Sequence, residues 1–183
     1  MKYNLTTPLS KETIKKLKAG DTVFLSGTIY TARDAAHKRM VDDFKNGKPF
    51  PIDLNSSIIY YAGPCPAKPD QVIGSCGPTT SGRMDLYTPL LLDNGLSVMI
   101  GKGMRSDTVV ESMKKNVCVY LGAIGGAGAL ISQSITSSLV VCYDDLGTEA
   151  IRKLEISNLE LVVLVDCNGN NLYIDGQKEY MNI

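Results

Sequence analysis

The sequence has few histidines, which commonly bind metals, and no excess of either charge. It has 183 residues, one histidine (His37), no tryptophan, and 19 basic against 19 acidic side chains, so its formal net charge at pH 7 is zero. A balanced charge provides no overall field for nucleic acid or an anionic membrane, so any cationic site must be built locally. We therefore expect neither a nucleic-acid partner nor a membrane partner.

Long apolar runs are also missing. No stretch approaches the roughly 20 consecutive apolar residues of a spanning helix, and the N-terminal run MKYNLTTPLSKETIKKLKAG lacks the apolar segment of a signal peptide. These features predict a cytoplasmic protein. Because 44% of the residues are hydrophobic, the chain can bury one core, and we expect a single domain over residues 1–183.

The cysteines form no C-x-x-C pair and fit no common zinc or iron–sulfur spacing. Three of them lie in apolar, strand-like runs, which favours buried thiols over disulfides. With a single histidine besides, this chain alone is not expected to bind a metal. The cysteines are Cys65, Cys76, Cys118, Cys142 and Cys167.

Strand-like and helix-like patterns alternate along the chain. This order predicts an α/β fold with a mixed sheet, and Cys167-Asn168-Gly169-Asn170 is a hairpin signal that predicts an antiparallel pair of strands at the C-terminal end. The predicted strands cover residues 21–32, 57–63, 96–102, 117–122 and 138–145. The predicted helices follow Ser10, Ala32, Thr88 as a possible cap, Ser106 and a glycine-rich turn that includes Gly126.

The segment GPTTSGRMD, residues 77–85, closes a long loop rich in proline and glycine. It combines three adjacent hydroxyls with an arginine and an acid, which a core segment or a flexible linker would not need. Thr79, Thr80 and Ser81 could donate hydrogen bonds to a substrate, or cap the following helix, which is the commoner use of such residues.

Three cations stand at the ends of predicted elements, where α/β folds gather their sites: Arg33, Arg83 and Lys102. Two guanidinium forks and one compact ammonium group would suit a small dicarboxylate. Ion pairs of Arg33 with Asp34 and of Arg83 with Asp85 are an equally good interpretation of these neighbours. The glycines flanking Lys102 allow close approach of a ligand, but also fit a plain turn.

Two further interpretations concern His37 and a nucleotide site. A lone histidine on a helix is more often structural than a catalytic base. The run GAIGGAGAL between two strands resembles a dinucleotide-binding turn, but Ile131 stands where a glycine or alanine is needed. Around Lys102 the phosphate-loop pattern fails too, because Gly103 replaces the hydroxyl.

Five sequence blocks, in this order, resemble the β subunit, or C-terminal domain, of class I iron–sulfur fumarate hydratases, a family that includes tartrate dehydratases. The resemblance covers nearly the whole chain. Its blocks are GTIYTARDAAHKRM, YYAGPCPAKP, GSCGPTTSGRMDLYTPLLL, IGKG and GTEAIRKLEI.

The resemblance implies a swivelling β/β/α domain and an enzyme that adds or removes water from a C4 dicarboxylate, either fumarate and malate or tartrate and oxaloacetate. It also implies a partner α subunit that carries a 4Fe-4S cluster, in an assembly of two α and two β chains. The isolated chain could form a homodimer.

The resemblance also assigns roles to residues. Arg33, Arg83 and Lys102 are implied to bind the substrate carboxylates, and Thr79 is the implied base. A threonine hydroxyl is a very weak base, so it would need activation by an acid from the partner. Thr80, Ser81, His37 and Asp85 are expected to support the site, with Asp85 orienting Arg83. The alternatives are a stand-alone module that binds small anions or nucleotides, and a subunit that has lost catalysis.

Overall fold

The computed structural model describes residues 1–123 and 127–181, the last five of these by their backbone. In this part of the chain, strands and helices alternate, as predicted for an α/β fold. The strands are β1 (Lys2–Thr6), β2 (Thr22–Thr31), β3 (Ile58–Tyr60), β4 (Val98–Gly101), β5 (Val119–Gly122), β6 (Ile135–Cys142) and β7 (Ile151–Val165). The helices are α1 (Lys11–Lys16), α2 (Asp34–Lys45), α3 (Thr88–Asp93), α4 (Asp107–Asn116), α5 (Gly128–Gln133) and α6 (Leu172–Met181).

The seven strands form one mixed sheet whose pairing returns to its starting point. β2, β3, β4 and β5 are parallel neighbours, and β7 runs antiparallel to both β5 and β2. The five strands therefore make a closed ring. β1 extends it beside β2, and β6 extends it beside β7. The predicted mixed sheet is confirmed.

Alternate residues of the parallel strands point to two different apolar cores. Ile58 and Ile100 belong to the core lined by the ring strands together with α1 and α5. Ile59 and Met99 belong to a second core, on the side covered by α2, α3 and α4. This is the period of two that a strand requires when both of its faces are buried.

Helix α2 leads away from the end of β2 with one apolar face. Ala36, Met40 and Val41 are buried, as the pattern predicts, and the helix ends just before Gly47, which has a positive φ of 80°. Phe44 is only half-buried and stacks on the ring of Phe50, with 4.5 Å between the ring centroids.

The predicted C-terminal hairpin is wrong at its second strand. The chain does turn at residues 167–170, and a single bridge joins Val165 to Asn171, but the run that follows is helix α6. The Asn171 side chain accepts a hydrogen bond from the amide of Tyr173, and the Asp175 carboxylate accepts one from the amide of Asn171. Such reciprocal capping starts a helix and outweighs the hairpin signal.

Smaller differences concern caps and termini. Thr88 is not a cap but the first residue of α3, and its hydroxyl donates to the Met84 carbonyl. Gly126 of the predicted glycine-rich turn lies outside the described residues. No helix in the described ranges is long and apolar enough to cross a membrane.

Candidate functional site

The three predicted cations follow three adjacent parallel strands. Arg33 comes after β2 and Lys102 after β4, while the loop that carries Arg83 comes after β3. These strands are neighbours in the sheet, so their carboxyl ends meet at one edge. In α/β folds, both open sheets and closed barrels, ligand sites form at the carboxyl ends of the strands.

The loop of residues 77–85 is joined to this edge by the main chain. Pro78 forms an antiparallel bridge with Ala62, and Thr80 forms a parallel bridge with Lys102. The Thr79 amide donates to the Tyr61 carbonyl at 2.7 Å, and the Ser81 amide donates to the Lys102 carbonyl at 2.9 Å. The loop thus continues the sheet between the ends of β3 and β4, and the hydroxyl residues lie beside Lys102.

The preceding loop leaves this edge and is closed at its base by main-chain hydrogen bonds between Cys65 and residues 74–75, which we call the neck. The Cys65 amide donates to the Ser75 carbonyl at 2.9 Å, and the Gly74 amide donates to the Cys65 carbonyl at 3.2 Å. Just beyond the neck, the Tyr60 hydroxyl donates to the Cys76 carbonyl at 2.6 Å. These bonds fix where the chain enters the site segment.

Ser81 supports the Lys102 backbone from below. It is fully buried, and its hydroxyl accepts a hydrogen bond from the Lys102 amide at 3.1 Å and lies 2.8 Å from the Tyr120 hydroxyl. Burial raises the pKa of Tyr120, so this phenol stays protonated. A β-carbon on Gly101 would lie 2.0 Å from the Ser81 hydroxyl. Ser81 therefore needs glycine at position 101 and neither caps a helix nor reaches solvent.

Asp34 connects the two arginines. Arg83 Nε lies 2.8 Å from Oδ1 of Asp34, and Arg33 Nε lies 3.7 Å from Oδ2. Arg33 also pairs with Glu149, whose Oε1 lies 3.0 Å from Nη2. The second oxygen of Glu149 accepts a hydrogen bond from the Ala35 amide at 2.7 Å and so caps α2. The expected pair of Arg33 with Asp34 is present.

The predicted contact between Asp85 and Arg83 is wrong, because Asp85 is engaged by a buried arginine. Arg105 Nε donates to Oδ1 of Asp85 at 2.7 Å, and the Ser106 amide donates to Oδ2 at the same distance. Arg105 also donates to the hydroxyl of Thr88 at 2.8 Å. Its side chain has no exposed surface, so it neutralises a carboxylate that sequence proximity assigned to Arg83.

Arg105 was missed by the sequence interpretation. It lies 5.2 Å from the ring centroids of both Tyr61 and Tyr120, in a cation–π arrangement. Burial tends to lower its pKa, but Tyr61 and Asp85 outweigh this effect and raise it. The one available signal was its position, two residues after Gly103 and directly before the predicted helix cap Ser106.

His37 lies behind the site and does not reach its surface. It is fully buried, and Nδ1 lies 2.9 Å from the Arg33 carbonyl. A carbonyl only accepts, so Nδ1 carries the proton, and Nε2 has no hydrogen-bond partner among the described residues. Burial lowers the pKa of His37 to about 4. His37 is therefore a neutral residue that fixes the backbone at Arg33.

Several polar groups on this edge remain open to a ligand. Thr79 and Lys102 are half-buried, Thr80 is exposed, and 52% of the Arg83 side chain is exposed. Within the described ranges, no hydrogen bond or ion pair engages the Thr79 hydroxyl or the Lys102 ammonium group. Such an array can bind a small anion through several donors at once.

The described residues contain no group of side chains suited to bind a metal ion. Across residues 1–123 and 127–181, no three histidine, cysteine, aspartate or glutamate residues are grouped so as to hold a metal ion. Cys76, Cys118 and Cys167 are buried, while Cys65 is exposed. Burial raises the pKa of Cys76 to about 12, so this thiol is not a thiolate at neutral pH.

Comparison with known proteins shows which family the chain belongs to. The family model described as Fumarase C-terminus matches residues 1–176. The chain belongs to this family. The resemblance inferred from the five sequence blocks is therefore confirmed.

Members of the Fumarase C-terminus family occur as separate subunits and as parts of longer chains. The chain is 40% identical over 177 residues to the "Putative L(+)-tartrate dehydratase subunit beta" of Methanocaldococcus jannaschii, covering 93% of this chain and 91% of that protein. It is 37% identical over 177 residues to Fumarate hydratase 2 of Leishmania major, covering 94% of this chain. It spans only 31% of that fumarate hydratase. Against the aerobic class I fumarate hydratase of Escherichia coli, the identity is 42% over 151 residues, 81% of this chain and 28% of that protein.

The names of these relatives indicate that the family consists of hydro-lyases. The Fumarase C-terminus match includes the whole edge built by Arg33, residues 77–85 and Lys102.

Proposed function

We propose that this chain is the β subunit of a two-subunit hydro-lyase that hydrates or dehydrates a C4 dicarboxylate, fumarate to malate or tartrate to oxaloacetate. The observation that carries the proposal is the convergence of Arg33, Arg83 and Lys102 on one sheet edge, beside Thr79. A doubly charged substrate needs this kind of multiple cationic contact.

In this proposal the cations bind the two substrate carboxylates. Arg83 offers the outer nitrogens of its guanidinium, since its Nε is held by Asp34. Lys102 offers a point charge from a backbone that Ser81 supports. Removing a proton beside a carboxylate places negative charge on that carboxylate, and preorganised cations stabilise this charge.

Thr79 is the proposed site of proton transfer. Its amide is held by Tyr61, so its backbone is fixed at the mouth of the site. The hydroxyl is a weak base by itself. We propose that an acid of the partner subunit activates it.

The electrophile that assists loss of the substrate hydroxyl is proposed to be a 4Fe-4S cluster on the partner α subunit. The described residues of this chain group no ligands for it, so it is assigned to the partner. The "subunit beta" in the name of the Methanocaldococcus jannaschii relative supports a two-subunit enzyme.

The remaining features of the proposal concern fold and assembly. We propose a swivelling β/β/α domain over residues 1–183, supported by the closed strand ring and the helices α2, α3 and α4 on one side. We also propose an assembly of two α and two β chains in the cytoplasm.

The test is to purify the chain anaerobically from its source, identify what copurifies, and assay fumarate, malate and tartrate in parallel. A cysteine-bearing, iron-containing partner and one dominant hydro-lyase activity are expected. If the chain is recovered alone and iron-free under conditions that preserve such complexes, and binds fumarate or a nucleotide in calorimetry, it is a stand-alone binding module instead.

A further inference from the structure

Asp34 is placed between the two arginines of the site in a way that their sequence positions do not suggest. It is the first residue of α2, directly after Arg33, yet its shorter ion pair is with Arg83, 2.8 Å away. The contact with Arg33 is longer, at 3.7 Å. Both contacts are made through the Nε atoms of the arginines.

The atoms that face each other across the longer contact have little else to bind. Arg33 Nε and Asp34 Oδ2 are buried and have no hydrogen-bond partner among the described residues. A buried donor and a buried acceptor of opposite charge stabilise each other electrostatically even beyond hydrogen-bond distance. Asp34 therefore contributes to the placement of Arg33 as well as Arg83.

The use of Nε matters for binding. A guanidinium presents five N–H donors in a rigid fork, and a carboxylate held at Nε leaves donors on the outer nitrogens available. In Arg83 these outer nitrogens form no ion pair within the described ranges, and 52% of the side chain is exposed. Arg33 is fixed further by Glu149 at Nη2 and by Gly63, where a β-carbon would lie 2.7 Å from Nη1.

We propose that Asp34 is a positioning residue that holds Arg33 and Arg83 by their Nε atoms and so aligns Arg83 to bind a carboxylate of the substrate. The inference rests on the proposed hydro-lyase function and adds a residue to it. Asp34 does not touch the substrate. It restricts the rotamers of a half-exposed arginine, whose side chain is otherwise among the most flexible.

The role predicts a specific kinetic signature. A carboxylate that merely neutralised the site would weaken substrate binding, so removing its charge would lower KM and leave kcat unchanged. Removing a positioning residue has a different effect. It leaves the substrate-binding group misaligned, which lowers kcat more than it changes KM. We expect Asp34→Asn, which keeps the size of the side chain, to lower kcat about 10- to 100-fold and to change KM less than about threefold.

The experiment uses the complete complex with the α partner. Asp34→Asn is compared with Asp42→Asn, a control on the same helix whose exposed carboxylate pairs with Lys38 at 2.8 Å. Assembly and iron content are measured for each variant. The Asp34→Asn change is also made together with Arg83→Lys, where its additional cost in kcat should be smaller. An unchanged kcat for Asp34→Asn, or an equal cost in both backgrounds, would overturn the proposal.

A second measurement does not depend on activity. In ¹H–¹⁵N spectra of the isolated chain, the Nε–H signal of Arg83 should shift in Asp34→Asn, while that of Arg39, which pairs with Asp145 through its outer nitrogens, should not. An Arg83 signal that does not respond would exclude the contact. If the wild-type complex has no hydro-lyase activity, the proposed function is refuted, and these spectra still decide whether Asp34 holds the arginines.

Discussion

Arg105 and Asp85 form an ion pair beneath the site, with 2.7 Å between Nε and Oδ1, and the arginine side chain is completely buried. The pair joins the loop of residues 77–85 to the start of α4, because Oδ2 of Asp85 also accepts the Ser106 amide. Thr88 adds a further link, since its hydroxyl accepts from Arg105 and donates to the Met84 carbonyl next to Arg83. The loop is therefore supported by a buried charge.

Removing Asp85 should destabilise the protein strongly. Asp85→Ala leaves the Arg105 charge buried and unpaired, which costs about 3–5 kcal/mol of unfolding free energy. The measurement is urea unfolding, with Glu111→Ala as the control, since Glu111 is exposed and pairs with Lys114 on the surface. Adding Arg105→Met to Asp85→Ala should restore part of the loss. A cost below about 1 kcal/mol for Asp85→Ala would contradict the role of the pair.

Gly101 should not tolerate a side chain. In Gly101→Ala the new β-carbon would lie 2.0 Å from the Ser81 hydroxyl and 3.1 Å from the Tyr61 ring, so Ser81 and the Lys102 backbone must move. We expect a loss of about 2–3 kcal/mol in stability and a large loss of activity in the assembled enzyme. Gly82→Ala is the matched control, because its β-carbon meets only the Met104 carbonyl at 3.7 Å. Equal effects of the two substitutions on thermal unfolding would argue against close packing at Gly101.

The stability of the protein should fall in mild acid because of His37. Burial lowers its folded-state pKa to about 4 from an ordinary value of 6.5, so between these values the unfolded chain binds a proton that the folded chain does not. The contribution is present above pH 6.5 and is lost as the pH falls to about 4, by about 3 kcal/mol in total.

The measurement for His37 is urea unfolding from pH 4 to 8 of the wild type and of His37→Asn, whose amide can donate in place of Nδ1. The stability advantage of the wild type should shrink as the pH falls below 6.5 and stay constant above it. Parallel curves over the whole range would show that His37 titrates normally.

Arg83→Lys should separate activity from folding. Lysine keeps the charge but loses both the planar fork and the Nε that binds Asp34. We expect turnover of the assembled enzyme to fall about 100-fold, with less than about 1 kcal/mol change in stability, because the side chain is half-exposed. Arg39→Lys on helix α2 is the control, and its activity should stay near that of the wild type. Near-normal turnover of Arg83→Lys would remove Arg83 from the site.

The positions of the cations could be predicted because parallel strands impose them. Arg33 directly follows one strand pattern and Lys102 ends another, and the carboxyl ends of neighbouring parallel strands share an edge. What the sequence could not provide was the pairing across elements. Asp34 lies next to Arg33 in the chain, and its shorter bond is with Arg83, while Asp85 turns to Arg105.

In the fold, too, local sequence patterns were predictive and contacts between distant elements were not. Strands with an apolar period were predicted well, whereas β1 has alternating exposed residues and forms through its parallel register with β2. Helix α6 was missed because a turn signal at residues 167–170 is compatible with either a strand or a helix afterwards, and the Asn171 cap decides. Long-range pairing and local capping therefore account for the main errors.

The neck between Cys65 and Ser75 has a consequence for where this chain can accept insertions. Because main-chain hydrogen bonds close the loop at its base, the seven exposed residues 66–72 can lengthen, shorten or be replaced, while the buried Ile73 and the entry into the site segment stay fixed. This loop is thus a natural place for insertions, and for engineered tags, that leave the edge carrying Arg33, Arg83 and Lys102 intact.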